Sequence, residues 1–451
     1  MSKNQNMEKL QELLKRKPEA TSVILAALDI SQPTFSRLWS TVRNGVALGA
    51  GKNRQYALRR HIPGIHAPVP LFRVLEDGKV EQLGQLHLLE GGFYALTPIE
   101  GTTYLLYEGM PYFLQDLRPQ GFLGRMEPGK HPELGLPADI LRWTAEQVLI
   151  YLSRRSEHAA GDLILGNESL ARHLQSTSTE ENTVLASERA QRYPRMAEHA
   201  MQGEAPGSSA GGEQPKFTAL IDRMDGQEMI EHVIVKFSPQ VDSRSGRRWG
   251  DLLVCEHLAL EVLDRHGIAA ARTSILEEEG RVFLEVVRFD RAGLKGRRPM
   301  ATFAALDGDL GMMDQSWTAV AHELGRLKEL PSQDIETVEM LDLYGALIGN
   351  TDKHHGNIAV AWTLERRHRL LDAYDMLPML YRPNTHGEIV AREWKPNWSG
   401  RLELRHLPRC HKMASQFWNA VLDDRRISPD FKKTVAQPHL AALQTLAPAM
   451  G

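Results

Sequence analysis

Between Met7 and Arg16 the apolar residues fall at 7, 10, 13 and 14, the spacing of one helix face. Pro18 ends that run, and Thr21 to Leu28 (TSVILAAL) predicts a second helix. Asp29-Ile30-Ser31 reads as a tight turn with Ser31 at the next N-cap. Gln32 to Val42 then buries Phe35, Leu38 and Val42 and turns Gln32, Thr34, Ser36, Arg37 and Ser40 outward. Two short runs, Val46–Leu48 and Gln55–Leu58, flank a basic glycine-containing tip (GAGKNR) that carries Lys52 and Arg54. Helix, turn, outward polar helix and basic hairpin together predict a winged helix-turn-helix over 1–62. Its Gln32–Val42 helix would meet base edges and its tip would meet phosphates. The alternative is a small helical cap used for dimerisation or packing. GAGK is not a nucleotide-binding P-loop, because the leading Gly and trailing Ser or Thr are missing.

After a Pro-rich connector (IPGIHAPVP, 62–70), the alternation over 71–125 predicts short antiparallel strands, with a hairpin at Asp77-Gly78. Residues 139–155 read as helix, and the polar stretch 167–215 as a mobile loop or linker. Two further strands, 216–221 and 232–237, are joined by a turn at Asp225-Gly226. The run LLVCEHLALEVL predicts a helix, and helical segments dominate beyond 301, with loops over 381–402 to which no chemistry is assigned.

Composition changes this picture little. The 451 residues are 42% hydrophobic and 25% charged, values of a soluble globular protein of several domains. Cys255 and Cys410 stand in no metal or disulfide spacing, which points to a reducing cytoplasm. No signal-type segment or membrane-length apolar run occurs, so no membrane partner is expected. Charge matters more. Residues 1–65 carry eleven Lys and Arg against four Asp and Glu, a net of +7, leaving −10 on the rest of a chain that totals −3. That asymmetry supports a polyanion, DNA, as the partner of the N-terminal unit.

The chemistry concentrates in LIGNTDKHHGNIAV (347–360) and Asp375. An acid (Asp352), a carboxamide five residues on (Asn357) and a second downstream acid are what phosphoryl transfer from ATP requires: a carboxylate for the attacking hydroxyl and hard oxygen ligands for magnesium. Upstream, Lys236 ends an apolar strand, and Glu256 lies twenty residues on in a helix that can turn back towards it. Gly203, Gly207, Gly211 and Gly212 surround Ser208 and Ser209 just before Gln214 and Lys216, a composition able to form an anion-binding nest. Lys353, His354 and His355 read as loop polarity or phosphate neighbours, not as a metal site.

GGEQPKF, VIVKF, VCEHLALEVLDRHGI, VVRFDR (286–291), LIGNTDKHHGN and DAYDMLP occur in the order found in HipA-family serine/threonine kinases, and over about 70–440 the chain resembles that family. The fused N-terminal unit is similar to its YjjJ-like branch. The resemblance implies an α+β chain in which the winged helix-turn-helix is followed by a two-lobed protein-kinase-like fold, a sheet-rich N-lobe over 66–300 and a helical C-lobe over 301–451. It implies ATP and Mg2+ as cofactors, Asp352 as the catalytic acid, Asn357 and Asp375 as metal ligands, and Lys236 as the phosphate lysine with Glu256 supporting it. Gly211, Gly212, Gln214 and Lys216 belong to the phosphate loop, and Phe289 and Asp290 to the adenine and ribose hinge, where Val287 replaces a frequent acidic residue. Ser209, with Ser208 beside it, falls at the regulatory autophosphorylation site. A phosphate there cannot share a nest filled by ATP, so modification would eject the loop and inhibit. The implied substrate is a Ser or Thr of a translation-related protein, for which the family precedent is an aminoacyl-tRNA synthetase, within a toxin–antitoxin system; a homodimer is also open. Two other readings stay open, a transcription regulator whose kinase-like body senses nucleotide without transfer, and a small-molecule kinase.

Overall fold

The computed structural model describes residues 3–99, 103–175, 183–202, 214–226, 229–395 and 404–446. Packing divides the chain into two compact units: 1–75, 79–118 and 131–176 form one, and 76–78, 119–130 and 177–451 form the other.

In the first unit the helical spacing produces helices Lys3–Arg16, Thr21–Leu28 and Gln32–Trp39. Leu10, Leu14, Ile24, Leu28, Phe35 and Leu38 meet at their centre. Asp29 takes a left-handed backbone (φ 54°) that lets the second helix turn into the third. Ser31 is the N-cap of the third helix, but its hydroxyl pairs with that of Thr34 at 3.0 Å and caps no backbone N–H. That helix stops three residues short of Val42, where Thr41 and Val42 close on Leu38 and Trp39 by tighter turn bonds. A small antiparallel sheet follows, with β1 (Glu19–Ala20), β2 (Gly45–Leu48) and β3 (Gln55–Leu58) in the order β1-β3-β2. Tyr56 of β3 meets Phe35 edge-on at 4.8 Å, fixing the hairpin against the third helix.

The same unit holds a five-stranded antiparallel sheet of β4 (Val69–Val74), β5 (Val80–Leu88), β6 (Phe93–Pro98), β7 (Leu105–Glu108) and β8 (Leu163–Leu165), ordered β7-β6-β5-β4-β8. Within 71–125 the strands end at Glu108 and do not run on to 125 as the alternation suggested. Tyr112, Phe113 and Leu114 are all buried, a pattern a one-faced strand cannot give, and they form a helical turn. Helix Ala145–Arg155 begins with a capping box between Thr144 and Gln147.

The second unit is built on another five-stranded sheet, β9 (Thr183–Leu185), β10 (Lys216–Asp222), β11 (Ile230–Phe237), β12 (Thr273–Glu278) and β13 (Arg281–Val287), ordered β12-β13-β11-β10-β9. Only β9 runs parallel to its neighbour. Val233, Val235 and Phe237 point to one face, where helix Arg189–Gln202 contributes Tyr193 and Ala197. Lys236 therefore points to the other face, towards helix Arg244–Arg265. The stretch expected to be a mobile loop or linker (167–215) thus contains helices Asn167–Gln175 and Arg189–Gln202 and strand β9. In the second of these helices the buried residues are Tyr193, Pro194, Ala197 and Ala200, set inside a polar run.

Beyond residue 301 the unit is mainly helical, with helices Phe303–Leu310, Trp317–Arg326, Ser332–Ile348, Leu407–Asp423 and Gln437–Gln444. The Ser332–Ile348 helix is buried on nearly every side and carries Glu339 and Asp342 inward. Gly349 ends it at φ 84°, a left-handed turn that favours glycine and throws the chain sharply into Asn350–Asp352. Among the described residues no helix is long and apolar enough to cross a membrane.

Candidate functional site

Strand β11 delivers Lys236 to a spot that is 7% exposed. Its ammonium donates to both oxygens of Glu256, at 2.7 and 2.9 Å, and to Oδ1 of Asp375. Glu256 is fully buried in the Arg244–Arg265 helix, which starts on the Ser243 cap. Lys216 lies directly across from Lys236 in the β10–β11 ladder and adds positive potential to both carboxylates. Burial opposes the charge on Lys236, but Asp375 and Glu256 outweigh it and hold the ammonium well above its ordinary range. Burial raises Glu256, against the pull of Lys236. Asp375 goes the other way: burial pushes it up, while Lys236 and Lys216 bring it below the usual carboxylate range. The result is one protonated amine bridging a dry carboxylate and a half-open one that stays ionised.

Asp352 and Asn357 share the loop that follows Gly349. The Asp352 N–H donates to Asn350 Oδ1 at 3.0 Å, and Asn350 Nδ2 reaches the Asp375 carbonyl at 3.4 Å. Asn350 thereby links the two acid-bearing segments. Asn357 Nδ2 donates to the Asp352 carbonyl at 2.9 Å, which leaves its Oδ1 as the atom available to a ligand. The Asp352 carboxylate is half-buried and accepts no hydrogen bond from the described residues. Trp317 Nε1 holds the His354 carbonyl at 3.0 Å, and His355 is buried against the Gln315 carbonyl. Lys353 turns away from the site to Asp342, so the loop-polarity or phosphate-neighbour reading does not hold for it. Asn357 Oδ1 and the Asp375 carboxylate are hard oxygen donors that fit Mg2+. Among the described residues no group of three or more His, Cys, Asp or Glu could hold a metal by itself. Such a pair suits an ion that draws its remaining ligands from phosphates and water.

In the segment expected to form the hinge, Phe289 packs on Tyr374 with ring centroids 5.5 Å apart. Asp290 is buried and its carboxylate is already engaged, by Arg288 at 2.9 and 2.7 Å and by Arg291 at 2.6 Å. A cavity of about 270 Å³ beside it is lined by Phe289, Arg288, His232, Arg272, Arg298 and Asp372. None of Lys236, Glu256, Asp352, Asn357 or Asp375 reaches that cavity. Gln214 Nε2 is buried with no hydrogen-bond partner among the described residues, just before Lys216. Gly211, Gly212, Ser208 and Ser209 lie outside the described residues.

Residues 208–434 match the model of the HipA-like C-terminal domain, and residues 65–174 that of the YjjJ-like toxin middle domain. Over 433 residues the chain is 34% identical to Toxin YjjJ of Escherichia coli (strain K12), covering 94% of this chain and 95% of that one. The chain belongs to the HipA family of toxins, in its YjjJ-like branch. Its fold is that of HipA: the Shewanella oneidensis MR-1 HipA, solved in a toxin–antitoxin complex with HipB and operator DNA, matches with a TM-score of 0.50 at 14% identity, over 83% of this chain and 97% of that one.

Within this HipA-family chain the first unit places Gln32, Ser36 and Arg37 on the exposed side of the third helix, with Thr34 half-buried. Lys52 and Arg54 are exposed at the tip between β2 and β3. The sequence reading passed over Asn350, Tyr374 and Asp342. Asn350 was in plain view two residues before Asp352; the others act through partners distant in sequence.

Proposed function

We propose that this chain is an ATP-dependent serine/threonine protein kinase of HipA type. In this reading it transfers the γ-phosphate to a Ser or Thr of a translation-related protein in the cytoplasm and modifies its own loop at Ser209 or Ser208. The observation that carries the reading is Lys236 held between Glu256 and Asp375, with Asp352 and Asn357 on the adjoining loop. A nucleotide-sensing regulator without transfer has no use for Asp352, whose carboxylate stands unengaged beside the metal-ligand pair.

The chain's own groups divide the work as follows. Lys236, steadied by Glu256, would hold the nucleotide phosphates, assisted by Lys216 and by Gly211, Gly212 and Gln214 just before it in sequence. Asn357 Oδ1 and the ionised Asp375 would hold Mg2+, which when bound offsets the charge on the transferring phosphoryl group. Asp352 would orient the substrate hydroxyl and take its proton, and its free carboxylate oxygens suit that task. Phe289 and Tyr374 would pack along the adenine, and the Asp290 carboxylate would brace the hinge through Arg288 and Arg291.

For the N-terminal helices and hairpin we propose a winged helix-turn-helix that binds DNA through Gln32, Thr34, Ser36, Arg37, Lys52 and Arg54. The +7 charge of residues 1–65 supports it, and the HipA solved with HipB and operator DNA offers a parallel. Fused to the kinase, it would act as a built-in antitoxin.

Incubation of the purified full chain with MgATP tests the kinase reading. Phosphate should appear on the 203–213 segment by mass spectrometry and vanish in Asp352→Ala, and Asp352→Ala should also relieve growth arrest in cells. Incorporation at the same rate in Asp352→Ala would refute the assignment.

A further inference from the structure

We infer that Lys353 is a positioning residue that aims Asp352 through a buried tether to the Ser332–Ile348 helix; this rests on the kinase reading of the site. A lysine directly after the proposed catalytic acid would ordinarily reach for solvent or for phosphate. This one runs inward. Its Nζ donates to Asp342 Oδ1 at 2.6 Å and to the Asp342 carbonyl at 2.7 Å. Asp342 is 2% exposed, and its other oxygen accepts from the Thr318 hydroxyl at 2.9 Å and the Thr318 N–H at 3.3 Å. The ion pair therefore ties the loop to two helices at once, Trp317–Arg326 and Ser332–Ile348.

The helix is cut to receive that side chain. A Cβ at Gly345 would stand 2.8 Å from Lys353 Cδ and 3.3 Å from Met376 Sδ. Met376 is buried and follows Asp375 directly. One notch in one helix thus seats the residue after each of the two acids, while Asn350 joins their backbones. Because Lys353 is spent inside the lobe on Asp342, its ammonium does not pair with Asp352, and the Asp352 carboxylate is left open to the hydroxyl.

The test uses the full chain with Lys353→Met, which keeps most of the stem, Gly345→Ala, and the double variant Lys353→Met/Asp342→Asn, which removes the orphaned charge. In Lys353→Met, autophosphorylation at saturating MgATP should fall about 10- to 100-fold, the cost of a misplaced group. Nucleotide Kd should stay within about twofold, and amide exchange over 350–358 should quicken about tenfold or more. Gly345→Ala should lower the rate likewise, although alanine is the better helix former. The double variant should regain the thermal midpoint but not the rate. A wild-type rate in Lys353→Met, or recovery of rate together with midpoint in the double variant, would overturn the proposal. If the wild-type chain transfers no phosphate, the kinase reading fails on its own. The exchange comparison still decides the tether, and unchanged exchange in Lys353→Met refutes it.

Discussion

Lys236→Met should both loosen the second unit and abolish its response to nucleotide, and the two effects can be sized separately. Lys236 and Glu256 are 8% and 0% exposed in their side chains, so removing the ammonium leaves a carboxylate with no water and no partner. Breaking a buried pair from one side costs about 3–5 kcal/mol. Proton uptake by Glu256, which burial already favours, limits the loss to that range. At about 2–4 °C per kcal/mol for a unit of this size, the thermal midpoint should drop by on the order of 10 °C. Adding Glu256→Gln removes the stranded charge and should return most of that loss without returning nucleotide binding. Wild-type protein in MgATP at a hundredfold excess over Kd should gain about 2.7 kcal/mol, and both variants should gain almost nothing. Differential scanning calorimetry with and without MgATP, together with titration calorimetry, reads all three quantities. A Lys236→Met protein that melts with wild type, or that keeps its stabilisation by MgATP, would refute the placement of Lys236 at the nucleotide.

Asp375→Asn should raise the magnesium concentration for half-maximal autophosphorylation by about tenfold or more, since the carboxylate is the only charged member of the proposed ligand pair; an unchanged magnesium titration would count against that pair. Lys52→Ala should weaken binding to the protein's own promoter and reduce the slope of log K against log salt by about 1, whereas Arg37→Ala should also change sequence preference; a slope that stays at the wild-type value in Lys52→Ala would argue for a packing role. Acid should destabilise the helical part through His439, which stacks on Trp394 at 4.6 Å, donates Nε2–H to the Leu347 carbonyl and accepts from Tyr381 Oη. Burial lowers it to about 3 from an ordinary value near 6.5, so its neutral form stabilises the fold fully above about pH 6.5 and loses that contribution, on the order of 4 kcal/mol, as pH falls towards 3. His439→Phe should flatten the dependence of the midpoint on pH over that window, and an identical pH profile in the variant would exclude this origin.

The parts of this chain that could be read from its sequence are those whose partners are close in sequence or whose periodicity is clean. The first three helices and the β2–β3 hairpin follow from helical spacing and short alternation. Lys236 and Glu256 could be paired because a strand followed at once by a helix leaves few ways for the chain to return. The helix over 189–202 escaped because half of its residues are polar, a proline stands inside it, and only Tyr193, Pro194, Ala197 and Ala200 are buried. The ligand contact expected at Asp290 comes from the family resemblance alone. Its engagement by Arg288 and Arg291, two and one residues away, was open to inspection but requires the bend that brings all three together.

The loop around Asp352 shows why the remainder was hidden. Its motif carries the atoms proposed to meet magnesium and a hydroxyl, and those are local choices of residue type. In the proposed tether, where the atoms point is decided elsewhere, by Asp342 ten residues upstream, Thr318 farther back, a missing side chain at Gly345 and Met376 beyond the next strand pair. None of these carries a signature, since a buried Asp, a Thr in a first helical turn and a helical Gly are each commonplace alone. Their meaning arises only when the helix is buried on nearly every side, so that a polar side chain entering it must find a polar partner. Lys353 finds that partner, and a residue that seemed a surface charge becomes a fixed strut behind the acid it follows.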